Sequence, residues 1–168
     1  MSRIKKRGAM ELSFGMIFSI FLIIVFLAFA IYGMSKFLGF QKAIQIGQFA
    51  NNMQIDINKM WSGTEGFASE EYNLPEKIKE ICFMDISSPG KGTKALYYKD
   101  LQLISQNTNN FFFYPIGSAE GLDAKVIEHI DIQKITSEEN PFCISNTNGK
   151  LKIGIRMTLG DSLVTITR

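Results

Sequence analysis

Two successive apolar patterns make up the first part of the chain. Residues 12–34, LSFGMIFSIFLIIVFLAFAIYGM, carry no charged side chain and few polar ones. At ~1.5 Å of rise per residue such a stretch forms a helix of ~35 Å. Because the hydrocarbon core of a bilayer is ~30 Å thick, this helix is long enough to span it. The pattern predicts a transmembrane helix, which we place at residues 9–34.

Residues 35–62 keep the helical period but lose the all-round apolar character. Apolar side chains recur there at spacings of three and four, which is typical of a helix with one buried face. These positions are Ile46, Phe49, Met53, Ile57 and Met60. Ser62-Gly63 ends the pattern. We therefore predict one long helix from about Ala9 to about Trp61, the outer half of which (residues 35–62) packs on a β-sheet.

Residues 63–168 read as a β-rich domain with short apolar runs between turns. Residues 64–73 are polar and predict a linker or surface loop. Strands are predicted at 78–86, 95–104, 111–114 and 126–135, the last in preference to a short helix. Residues 142–147, 151–159 and 163–168 predict a three-stranded antiparallel meander, because Asn148-Gly149 and Gly160-Asp161 supply the positive φ of hairpin turns. The fold class is α+β, with the long helix packed on an antiparallel sheet.

The positive charge of the chain is concentrated at its start. Arg3, Lys5, Lys6 and Arg7 precede the apolar stretch, and basic and acidic residues nearly balance after it. Positive residues stay on the cytoplasmic side of a membrane, so we expect a single-pass protein with a cytoplasmic N-terminus and an extracytoplasmic domain. The near-neutral remainder lacks the basic surplus of nucleic-acid-binding proteins, so we expect no nucleic-acid partner.

The start of the chain allows three interpretations. Ala28-Phe29-Ala30 fits the small-x-small cleavage pattern of a secretory signal peptide, but the apolar helix continues past it. An uncleaved anchor is the second. The third follows from the string Lys5-Lys6-Arg7-Gly8-Ala9-Met10-Glu11, in which basic residues run directly into a glycine, a small residue and an acid. This string, followed by the two-part helix, resembles the short leader of archaeal type IV pilin-like proteins.

The resemblance implies specific processing and assembly. A prepilin-type peptidase would cut between Gly8 and Ala9, removing the basic leader of residues 1–8 and leaving the apolar helix on the mature protein. Glu11 would be the third residue after the cut, whereas the acid of bacterial pilins is the fifth. Its pairing with a neighbouring subunit's amino terminus therefore competes with a simpler role at the positive end of the helix dipole. The expected function is a structural or minor subunit of a cell-surface filament. The alternative is a signal-anchored extracytoplasmic domain that binds a partner without polymerising.

The remaining residues with chemical potential are few. Cys82 and Cys143 predict a disulfide if the domain is extracytoplasmic; closing a loop of about 60 residues would stabilise it by ~4 kcal/mol. Two buried free thiols are the alternative. His129 is the single histidine of the chain, and we expect a partly exposed strand residue rather than a ligand or base. No phosphate loop, nucleophile elbow or HExxH string occurs in the sequence, so we expect no enzyme, no cofactor and no metal site.

Overall fold

A computed structural model describes residues 14–106 and 108–168. The chain divides between Gly39 and Phe40 into two compact units. Ten elements follow one another along the described residues: α1 Phe14–Trp61, β1 Gly66–Asn73, β2 Glu80–Phe83, α2 Ala95–Ile104, β3 Phe111–Tyr114, β4 Ala124–Lys125, α3 Ile132–Ile135, β5 Phe142–Ser145, β6 Lys150–Met157 and β7 Thr165–Thr167. The predicted α+β class is confirmed: one long N-terminal helix is combined with antiparallel sheets.

The strands of the unit at residues 40–168, the folded unit, form two antiparallel sheets. Sheet A has the order β1-β6-β7, and sheet B has the order β4-β3-β2-β5. In sheet A all eight residues of β1 pair with β6, from Gly66 opposite Met157 to Asn73 opposite Lys150. In sheet B the central strand β2 pairs with β3 on one side and with β5 on the other.

The outer half of α1 supplies part of the core that both sheets share. The predicted apolar face is buried at Ile46, Phe49, Met53 and Ile57, and Met60 packs against its edge. The Phe49 ring makes edge contacts with Tyr72 of β1 and Phe113 of β3, at centroid distances of 5.2 and 5.9 Å. The predicted packing of this half-helix on the sheets is therefore confirmed, and helix α1 ends at Trp61, just before the predicted stop at Ser62-Gly63.

A second, smaller core lies on the other face of sheet B. It contains Cys82, Met84, Leu101, Phe112 and Cys143, and α2 covers it. Alternate residues of a strand point to opposite faces, so Phe112 enters this core while Phe111 and Phe113 enter the larger one. All three rings are fully buried, which matches the prediction of a strand at 111–114.

Two of the elements predicted between residues 64 and 104 are wrong in type. Residues 95–104 form helix α2 and not a strand: Tyr97, Tyr98, Leu101 and Ile104 pack toward the small core. These four residues have helical spacing. The apolar residues of this segment also fit the alternation of a strand, but the helix is what forms. Residues 66–73 form β1 and not a loop. Their polar composition suits a sheet edge, where charged side chains such as Glu71 discourage pairing with other chains.

The C-terminal strands are predicted correctly in position but not in partnership. The Asn148-Gly149 turn has the expected positive φ values of 53° and 79°. However, β5 pairs with β2 in sheet B, whereas β6 and β7 pair with each other in sheet A. The predicted single meander is therefore wrong, because the chain changes sheets at this turn. The predicted strand at 126–135 is also wrong, since β4 ends at Lys125 and only the short helix α3 follows.

Candidate functional site

The residues predicted to be processed lie outside the described part of the chain. Gly8, Ala9 and Glu11 precede Phe14, where the description begins. The structure therefore neither brings them together nor separates them. The features that bear on function in the described residues are the apolar part of α1, the two cysteines, the polar group beside them, and the exposed surface of the folded unit.

The first part of α1 is apolar on every side. An 18-residue window of this helix has a mean hydropathy of 2.9, and none of it is buried. Phenylalanine side chains around its circumference are exposed, for example Phe21 at 61% and Phe26 at 70%. By length and composition this helix is able to cross a membrane. Exposure of so many large apolar side chains to water would be unfavourable, so this surface needs lipid or protein around it.

Two serine side chains in and beside this stretch form hydrogen bonds within the helix. The Ser19 hydroxyl donates to the Gly15 carbonyl at 2.8 Å, and the Ser35 hydroxyl donates to the Tyr32 carbonyl at 2.8 Å. Serine commonly bonds to the carbonyl three or four residues back in this way. In hydrocarbon, where no water offers hydrogen bonds, such internal pairing avoids the cost of an unsatisfied hydroxyl. Gly15 and Ser19 are thus compatible with lipid as well as with a close helix contact.

The two cysteines form the predicted disulfide. Cys82 of β2 lies directly opposite Cys143 of β5, with Cα atoms 4.1 Å apart, and the bond joins residues 61 positions apart in sequence. Cys82 is fully buried and Cys143 is nearly so. The bond links strands β2 and β5 of sheet B. The loop of chain that it closes contains α2, β3, β4 and α3. Such a bond is typical of proteins that fold in an oxidising environment.

A polar cluster lies beside the disulfide at the start of β2. Glu80 is 9% exposed, and its Oε1 accepts a hydrogen bond from Lys94 Nζ at 2.6 Å. This bond, the largest effect on the group, raises the pKa of Lys94. Burial, with Tyr97 stacked against it at 3.9 Å, raises the pKa of Tyr114. Through the Lys94–Glu80 ion pair and the stacked rings of Tyr97 and Tyr114, the cluster fastens the start of α2 to sheet B.

The same cluster contains a set of atoms with metal-ligand character. A carboxylate oxygen of Glu80 and the sulfurs of Cys82 and Cys143 lie within 4.8 Å of one another. Cysteine binds metals as a thiolate, and both sulfurs are instead joined in the disulfide. In the oxidised protein these three residues therefore cannot act together as a metal site.

His129 is not the strand residue that the sequence predicts. It follows β4 in a left-handed backbone conformation, with φ of 62°. Its ring stacks on Trp61, and its Nδ1 lies 3.0 Å from Asn58 Oδ1. Both partners belong to the last turns of α1. The histidine is thus explained as a packing residue that closes the end of this helix against the loop before α3.

An open depression of about 310 Å³ lies at the C-terminal end of the chain. It is bordered by Lys134, Glu139, Phe142 and Arg168. Arg168 Nη1 lies 3.0 Å from Glu139 Oε1 in an ion pair, and the Arg168 guanidinium lies over the Phe142 ring, 4.5 Å from its centroid. Lys134 pairs with Asp161 at 2.8 Å, so both cations at the border of this depression are engaged. The depression therefore offers no convergent set of free cationic donors for a small molecule.

One surface feature was missed by sequence reasoning. Leu96 and Leu103 of α2 are exposed to 81% and 86%, more than any other large apolar side chain described in residues 40–168. Both leucines lie in residues 95–104, for which the sequence predicts a strand. Their spacing of seven residues, which equals two helical turns, was the signal that would have placed them on one helix face.

Comparisons of the whole chain with protein-family models, with curated proteins and with solved structures gave no match.

Proposed function

We propose that this protein is a structural, pilin-like subunit, or a minor subunit, of a cell-surface filament that assembles through its apolar N-terminal helix. The observation that carries the proposal is the two-part helix α1. Its first part is apolar and exposed all round from Phe14 to Met34, and its second part contributes Ile46, Phe49 and Met53 to the core of the folded unit. A helix of this kind links a membrane or filament core to a globular head.

The basic start of the chain supports the same proposal. The string from Lys5 to Glu11 offers a leader that a prepilin-type peptidase would remove after Gly8. Glycine has no Cβ and fits an extended chain held closely in a protease subsite. Cleavage there would occur on the cytoplasmic side, while the subunit is still held in the bilayer by a single pass. The folded unit would be extracytoplasmic, where its disulfide is chemically favoured.

The second candidate is a signal-anchored domain that stays in lipid and binds a partner without polymerising. The internal hydrogen bonds of Ser19 and Ser35 favour this candidate, because these two hydroxyls need no partner from a neighbouring helix. Both candidates need the apolar helix. They differ in what surrounds it: copies of the same helix in a filament, or lipid around an anchor.

A photo-crosslinking experiment separates the two. A photoreactive phenylalanine is placed at Phe26, which is 70% exposed, in the full chain expressed in its own cells. We expect an adduct between two copies in the material that shears off the cell surface. Adducts to lipid alone would favour the anchor. The matched control places the same residue at Phe67, which is 60% exposed in sheet A, to report collisions that do not involve the helix.

A further inference from the structure

Helix α2 presents a stripe of four exposed side chains on the face opposite the small core. Leu96, Lys99, Asp100 and Leu103 are exposed, whereas Leu101 on the other face is fully buried. With 3.6 residues per turn, positions 96, 99, 100 and 103 lie along one side of a helix. The stripe therefore consists of two leucines, two turns apart, with a cation and an anion between them.

This stripe is complementary to itself when it is reversed. The midpoint lies between Lys99 and Asp100, and turning the helix end for end about that point exchanges Leu96 with Leu103 and Lys99 with Asp100. Two copies placed antiparallel thus bring leucine against leucine and opposite charges against each other. A parallel arrangement would instead place each charge near its like. A contact in which the same patch faces itself across a two-fold axis is isologous.

We propose that α2 is a docking surface for the α2 helix of a second copy of this chain, in an antiparallel, two-fold symmetric contact. The leucines supply the apolar centre, and the two Lys99–Asp100 pairs fix the register and direction. A wrong register or a parallel approach would bring leucine against charge or like charges together, which disfavours it.

The helix is held rigidly enough to act as such a surface. Its N-cap residue, Lys94, is tied to sheet B by an ion pair with Glu80 at 2.6 Å. Tyr97 stacks on Tyr114 at 3.9 Å, and the Tyr98 hydroxyl donates to the Ile86 carbonyl at 3.2 Å. Because these contacts fix α2 before it meets a partner, little conformational freedom is lost when two helices dock.

The contact is small, and this determines where it operates. A ten-residue helix offers much less than the roughly 800 Å² per partner of a standard stable interface. We therefore expect weak pairing in dilute solution and stronger pairing when two copies share one membrane, since confinement raises their effective concentration. A two-fold contact of this kind joins two copies and does not by itself build a filament. It is thus independent of the proposed function: it would join two anchored copies or link two filaments side by side.

Mixed cysteine crosslinking of the full chain in liposomes tests the proposal. Leu96→Cys and Leu103→Cys chains carry different tags; the native cysteines are already paired. After oxidation by copper phenanthroline, we expect crosslinking of the mixture to exceed that of either variant alone several-fold. In the antiparallel pair, position 96 faces 103 of the partner, while two copies of position 96 stand too far apart, beyond the ~7 Å Cα limit of a disulfide. Leu159→Cys, at a site 75% exposed, measures random collision.

A charge exchange tests the register independently. In Leu96→Cys and Leu103→Cys chains, Lys99→Asp places acid against acid at both pairs, and we expect crosslinking of the mixture to fall several-fold. Adding Asp100→Lys restores opposite charges and should restore the yield. The proposal is overturned if the mixture crosslinks no better than the Leu159→Cys control, if either variant alone matches the mixture, or if the exchange fails to rescue. All substituted side chains are exposed, and retention of the native disulfide verifies folding.

Discussion

The indole ring of Trp61 lies flat against the imidazole ring of His129, with centroids 3.7 Å apart and planes only 4° from parallel. Trp61 Nε1 also donates to the Ser162 carbonyl at 3.0 Å, in the turn between β6 and β7. The last residue of α1 is thereby fastened to two separate loops. Stacked aromatic pairs contribute ~0.5–1.5 kcal/mol beyond the area they bury, so this junction helps to hold the end of α1 within the folded unit.

The backbone at His129 gives the first prediction. A φ of 62° is unfavourable for residues with a Cβ and easy for glycine. His129→Ala and His129→Gly both lose the stack, but only alanine keeps the strain. We expect the alanine variant to be less stable than the glycine variant by about 1 kcal/mol in urea unfolding of the full chain in detergent. Equal unfolding midpoints would mean that this backbone conformation carries no cost.

The packing of α1 on the sheets gives the second prediction. Phe49 is 3% exposed and contacts three aromatic rings, whereas Phe40 is 64% exposed. Removing a buried phenylalanine ring leaves a cavity, and Phe49→Ala should lower the free energy of unfolding by about 3–5 kcal/mol. The control Phe40→Ala should change it by less than about 0.5 kcal/mol. Similar losses for both variants, measured by urea unfolding, would contradict the assignment of Phe49 to the core.

The disulfide gives the third prediction. Replacing both Cys82 and Cys143 by alanine releases a 61-residue loop in the unfolded chain. The free energy of unfolding should fall by about 2–5 kcal/mol, in keeping with the cost of removing a native disulfide. Wild-type protein that is unfolded, reduced and refolded without reoxidation should have the same lowered free energy of unfolding. If the double variant unfolds at the wild-type urea concentration, the bond has no part in stabilising sheet B.

Asp85 gives a prediction about pH. Its carboxylate is nearly buried, which raises its pKa, but hydrogen bonds from the Ser87 and Ser88 hydroxyls and the Ser87 amide outweigh that effect and hold the pKa below its ordinary value. The unfolded state therefore binds the proton more readily. The stabilisation is complete above the unfolded pKa of about 4 and is lost as the pH falls through the lower folded value.

We accordingly expect Asp85→Asn to lower stability by about 1 kcal/mol near neutral pH and to flatten the loss of stability below about pH 4. The measurement is urea unfolding of the two proteins at a series of pH values. Asp161→Asn is the control, because its partner Lys134 forms an exposed ion pair that contributes little. An unchanged acid dependence in Asp85→Asn would show that other carboxylates determine it.

Local patterns along the sequence were reliable where one periodicity dominated. The face of α1 from Ile46 to Ile57 and the Asn148-Gly149 turn both follow from spacing and residue type alone. In residues 95–104, apolar residues satisfy a strand period and a helical period equally well, and only the position of sheet B decides between them. The edge strand β1 was missed because its side chains are mostly polar, as suits an exposed sheet edge, whereas apolar residues were the signal used to predict strands.

Strand partnership could not be obtained from local patterns, because it depends on which distant segments meet. One signal was nevertheless present. A bond between Cys82 and Cys143 requires their two segments to be neighbours, which places β5 beside β2 and removes it from the predicted meander. The seven-residue spacing of Leu96 and Leu103 indicates a shared helix face, but whether that face is exposed depends on what the folded chain packs against it.

The most direct test of the central proposal is the mature N-terminus of protein purified from its own membranes, read by intact mass and N-terminal peptide mapping. The pilin-like account predicts that the chain begins at Ala9, with residues 1–8 removed and the apolar helix retained. A Gly8→Val variant should then remain unprocessed, while the matched variant Gly39→Val should be processed normally. A chain that begins at Met1 or Ser2 would contradict the account and favour a plain anchor, and one that begins at Ile31 would make the protein a secreted domain.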